Sequence, residues 1–78
     1  MPECFVQFQT VEDVREFVSL ATRFLHPVQV TRGNYSVSAT SIMGLFSMGL
    51  NRPLRVTVLD RDADPSGFFS DLGPFRVA

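Results

Sequence analysis

The chain has 78 residues, 45% of them apolar and 19% charged, with a formal net charge of −1. That balance suits a small folded protein and excludes a disordered one, with only roughly 60% of the unfolded surface available for burial. All seven basic residues are arginine, and they form no basic field of the kind that attracts nucleic acid. No apolar run approaches the roughly 18–20 residues of a membrane span, and no charged start followed by an apolar stretch marks a signal peptide. The lone Cys4 cannot form an internal disulfide, so a cytoplasmic setting is expected.

Residues Cys4–Gln9 alternate, with Cys4, Val6 and Phe8 on one face and Phe5, Gln7 and Gln9 on the other, which predicts a first strand. A helix follows. Thr10 is its expected N-cap, Asp13 stands three residues on, and Glu12 and Glu16 place negative charge in the first turns. Val14, Phe17, Val18, Ala21, Phe24 and Leu25 recur at helical spacing and form the expected core face. Pro27 stops the helix near Leu25 or His26.

Val28–Arg32 and Tyr35–Ala39 read as second and third strands, with Gly33-Asn34 as a two-residue hairpin turn. Ser41 then caps a short helix from Ile42 to about Met48, with Gly49 at its exit. Leu54, Val56 and Val58 alternate with Arg55 and Thr57 in a fourth strand. Asp64 and Pro65 read as cap and first residue of a last helix carrying Phe68, Phe69 and Leu72 and ended by Gly73-Pro74. The order β-α-β-β-α-β-α predicts a single α+β domain over residues 1–78. Its four-stranded antiparallel sheet is covered by three helices on one face.

The segment Ser41-Ile-Met-Gly-Leu-Phe-Ser-Met-Gly-Leu50 closely resembles the serine-containing segment of HPr, the histidine-containing phosphocarrier of the phosphoenolpyruvate sugar phosphotransferase system, and of its relative Crh. The similarity runs without gaps from about Val18 to Val58. It implies the HPr-like open-faced two-layer β-sandwich, whose element order equals the one read above. That family carries a Gly-[Leu/Ile]-His-Ala-Arg-Pro motif before its first helix, in which the histidine accepts phosphate from enzyme I. The corresponding stretch here is Gln9-Thr10-Val11-Glu12-Asp13-Val14, with a shorter loop before the helix, and the resemblance puts Thr10 at about the acceptor position and Glu12 at that of the arginine. No residue carries over as phospho-acceptor. Glu12, Asp13 and Glu16 would also repel a phosphate at that helix start.

The resemblance makes Ser41 a candidate for regulatory phosphorylation, although its residue type is explained by capping alone. It likewise makes Ile42, Met43 and Phe46 a candidate partner-binding patch, while Leu45, Met48 and Leu50 suffice to face the core. The implied partners are proteins: phosphotransferase components, a kinase or a regulator. No nucleic acid, membrane, metal or cofactor is expected, and the protein is read as a monomer or weak homodimer.

The other polar candidates read more simply as structure. His26 is a residue at a helix C-terminus, and Cys4 a buried apolar thiol. Asp60, Asp62 and Asp64 begin like a calcium loop, but Pro65 occupies the place where such a loop needs glycine. Phe68, Phe69 and Phe75 read as core and tail packing, with self-association as the other use. The expected function is therefore a non-enzymatic, HPr-like regulatory or protein-binding module. The alternatives are a phosphocarrier with Thr10 or His26 as a non-standard acceptor, or an assembly or ligand-binding domain unrelated to sugar transport.

Overall fold

A computed structural model of the chain describes residues 1–77; Ala78 lies outside the described residues. The elements follow the expected order: β1 (Glu3–Val6), α1 (Val11–Phe24), β2 (Val28–Arg32), β3 (Tyr35–Ser38), α2 (Ile42–Ser47), β4 (Leu54–Val58), α3 (Ser66–Asp71) and a terminal 3₁₀ turn (Gly73–Phe75). The four strands form one antiparallel sheet in the order β1-β4-β2-β3.

Register divides the sheet cleanly into two faces. Cys4, Val56, Val30 and Val37 stand in one cross-strand row, and Val6 pairs with Leu54 and Val28 with Val58 on the same side. All of these are buried except Val37, which is half-buried against the core. The opposite side carries the rows Glu3-Thr57-Gln29-Ser38 and Phe5-Arg55-Thr31-Ser36, and it is left open. The helices cover only the apolar side, where Val14, Phe17 and Ala21 of α1, Leu45 of α2 and Phe68 of α3 join the sheet in one core. This is the α+β open-faced sandwich that the period of two in the strands and the helical spacing between them predict.

Three local differences from the sequence expectations have physical causes. The first strand ends at Val6 rather than Gln9, because its partner β4 begins only at Leu54, after Pro53, which has no N–H to give the ladder; the chain's C-terminal segment pairs along the other edge. Val6 bridges Arg76, the Gln7 N–H donates to the Phe75 carbonyl at 2.8 Å, and the Val77 N–H donates to the Phe5 carbonyl at 3.0 Å. Leu25, at core spacing, lies outside the core. It leaves the helix at φ 65° as the C-cap and is 86% exposed, since the chain must exit helical geometry before Pro27. Pro65 is the residue before α3 rather than its first residue, and the Asp64 carboxylate caps the turn by accepting from the Ser66 N–H at 3.0 Å.

Candidate partner-binding site

The start of α1 is closed by its own side chains. Thr10 takes extended geometry as the N-cap, and its Oγ1 accepts the Asp13 N–H at 3.1 Å. In return the Asp13 carboxylate accepts the N–H groups of Thr10 at 3.3 Å and Gln9 at 2.9 Å, a complete capping box. The helix start thus carries its own negative charge, the Asp13 carboxylate set against the N–H groups just before it and Glu12 in the same turn, which disfavours an incoming anion. The single histidine of the sequence lies past the other end of this 14-residue helix, about 20 Å away at 1.5 Å per residue.

His26 is tied down there. Its Nδ1 is 3.2 Å from Asp60 Oδ2, and its ring packs at 4.9 Å against Phe24, which stacks on Phe68. The Asp60 carboxyl is held below the ordinary range, first by the Asp62 N–H and then by His26. Asp64 is lowered in the same way by Ser66. These carboxylates therefore organise their own loop. Among the described residues no group of three or more His, Cys, Asp or Glu side chains converges as a metal site would require. Burial raises the thiol of Cys4, against a smaller opposing effect of Arg76, so at neutral pH it is a protonated core residue.

The α2 surface is built differently. Ser41 caps the helix by accepting the Gly44 N–H at 3.3 Å, and its side chain is at the surface. Of the three apolar candidates beside it, Met43 is 75% exposed, whereas Ile42 and Phe46 are half-buried and packed against the core. Leu45 and Met48 are fully buried, as expected, and Leu50 is half-buried. Ser41 and Met43 are thus both exposed, while Ile42 and Phe46 are only partly accessible.

Two contacts that fix this helix were not visible in the sequence. Arg32 Nη1 donates to the Met48 carbonyl at 3.0 Å, and the Tyr35 hydroxyl lies 3.4 Å from Ser47 Oγ. Both join β2 and β3 to α2 across the hairpin, and no local pattern encodes such pairings. The ring of Tyr35 remains exposed beside Ser47.

No protein-family model and no curated protein sequence matches the chain. Among solved structures, HPr-C-His from Thermoanaerobacter tengcongensis superimposes with a TM-score of 0.75 at 22% identity, over 95% of this chain and 89% of that one. The phosphocarrier protein HPr from Bacillus anthracis str. Ames also gives a TM-score of 0.75, at 21% identity and over 96% of both chains. No helix among the described residues is long and apolar enough to cross a membrane. From β1 to the terminal turn, the chain is built on the HPr fold.

Proposed function

We propose that this chain is a single-domain, cytoplasmic, HPr-like regulatory or protein-binding module of the phosphotransferase sphere, working without a phosphohistidine step. It is not an enzyme and uses no cofactor. Its partners are proteins of that system, engaged through Met43 and the accessible parts of Ile42 and Phe46, with Ser41 as the place where a kinase would regulate the contact. The observation that supports this reading is the capping box at the start of α1, where Asp13 and Thr10 are engaged with each other and Glu12 adds negative charge; the resemblance to HPr puts Thr10 at the acceptor position. The Thr10 hydroxyl is engaged as acceptor of the Asp13 N–H and bonds to no general base, and an unactivated alcohol is a poor nucleophile, so Thr10 does not replace the acceptor histidine.

The test is incubation with phosphoenolpyruvate and enzyme I beside an HPr that carries its histidine. The expected result is acid-labile label on the control alone, and label on this chain overturns the proposal. The binding half is read by titrating purified phosphotransferase proteins against the wild type and Met43→Asp. A charge at the centre of the patch should weaken binding by about tenfold or more, as at other interface hot spots. Tandem mass spectrometry of peptides from protein of its native host reads phosphate on Ser41 directly.

A further inference from the structure

The two edges of the sheet are treated differently. The edge of β1 is covered by the chain's own C-terminal segment through the Val6–Arg76 bridge and the bonds at Gln7 and Val77. The edge of β3 is paired on its inner side alone, and among the described residues no segment lies along its outer side. The register identifies the groups that face outward. Arg32 pairs with Tyr35 around the two-residue turn, Val30 pairs with Val37, and the Ala39 N–H donates to the Val28 carbonyl. Residues 35, 37 and 39 therefore bond inward, and the alternation of an antiparallel ladder turns the N–H and C=O of Ser36 and the N–H of Ser38 outward. The Ser38 carbonyl is already taken by the Ser41 N–H at 3.0 Å. Ser36 is left with both of its main-chain groups open.

Folded proteins usually protect such an edge with lysine, proline, a bulge or a covering segment. Tyr-Ser-Val-Ser has none of these, and no charged residue occurs between Gly33 and Leu54 except Arg52. Arg32, just before the turn, is tied back onto the Met48 carbonyl.

We propose that the β3 edge is a self-association surface, where a second copy pairs antiparallel about a two-fold axis through Ser36. The occupant follows from the sequence of the edge. In that register Ser36 faces Ser36 and the two exchange both main-chain hydrogen bonds. Each Tyr35 lies opposite the partner copy's Val37 on the helix side, an aromatic–β-branched pair of the kind that stabilises sheets. Tyr35 is 53% exposed and Val37, half-buried against the core, is still partly accessible, so both have apolar surface to lose. With no charge on the strand, the two-fold brings no like charges face to face. The result is a continuous eight-stranded sheet with the α2 surfaces of both copies beside the joint. The contact is short, so the association is weak and concentration-dependent.

The test is the mass of the protein in solution, by light scattering, from micromolar to about 1 mM. The wild type should shift from 8.7 kDa towards twice that mass as concentration rises, with hydrogen exchange of the Ser36 amide slowing in step. Ser36→Pro removes an N–H that makes no bond within the chain, and Ser36→Lys sets two ammonium groups opposite each other on the open face. Both variants should remain at 8.7 kDa over the same range with an unchanged circular dichroism spectrum. Should proline disturb the strand, the lysine variant carries the test alone. A wild type that stays monomeric to about 1 mM overturns the proposal. So does a dimer that persists in Ser36→Lys, or one in which the Ser36 amide exchanges as in the monomer. None of these readouts depends on phosphotransferase proteins, so this inference and the proposed function fail separately.

Discussion

At Thr10 a single hydroxyl serves the start of α1, and its removal isolates that service. Thr10→Ala leaves the Asp13 N–H without its 3.1 Å acceptor at an exposed position and buries nothing new. The expected loss is about 1 kcal/mol, read as a lower urea midpoint with unchanged slope. A smaller loss would mean that Asp13, through its bonds to Gln9 and Thr10, holds the turn alone. The two N-caps, Thr10 and Ser41, were legible in the sequence because capping chemistry is local: an oxygen on a short side chain meets a donor three residues ahead. The exposure of Met43 relative to Ile42 and Phe46 was not. A six-residue helix with apolar side chains on most of its circumference has no clear period, and only packing against the sheet decides which of them stays out. The link between His26 and Asp60 was equally hidden, since it joins residues 34 apart in the chain.

Two glycines within helices separate propensity from packing. Gly44 lies in α2 where an added Cβ would come within 2.9 Å of both Val37 Cγ1 and Ser41 Oγ. Val37 is β-branched and stiff, so it does not swing aside cheaply. Gly44→Ala gains up to roughly 1 kcal/mol of helix propensity but meets an overpacking cost of about 1–3 kcal/mol, and the net effect is destabilising. Gly67 lies in α3 with nothing within 4 Å of an added Cβ, so Gly67→Ala should stabilise by about 0.5–1 kcal/mol. Opposite shifts of the thermal midpoint are the expected outcome, and stabilisation by both would mean that α2 moves freely against β3. The same contrast explains what could be read from elements alone. The order of the elements and the two capped helix starts followed from caps, turns and periodicity, as did the Gly33-Asn34 hairpin with Gly33 at φ 59°, whereas the end of β1 and the first residue of α3 did not. The close approach of Gly44 to Val37 has no local signature, and Leu25 shows that apolar spacing can run one residue past the true end of a helix.

For the whole molecule, the pairing that sequence periodicity could not supply is the one closing the β1 edge, since residues 6 and 76 meet only once the sheet exists. Its anchor is Phe75. That side chain is 4% exposed and meets Phe8 edge-on at 5.8 Å; Phe8 in turn packs on Phe17, Phe17 on Phe68, and Phe68 on Phe24. The terminal turn thus ends an aromatic column that runs through the core. Phe75→Ala should cost about 3–5 kcal/mol, a large share of the roughly 5–15 kcal/mol that holds a domain together. Its distinguishing effect is on the edge: the N–H groups of Gln7 and Val77, which bond to Phe75 and Phe5, should exchange faster than global unfolding alone explains. Phe5→Ala supplies the comparison, because Phe5 is 44% exposed on the open face of the same strand. It should cost well under the Phe75 value, about 1 kcal/mol or less, and leave the Gln7 amide protected. Equal losses from the two substitutions, or an unchanged Gln7 amide in Phe75→Ala, would show that the tail is an appendage and that some other contact seals the edge.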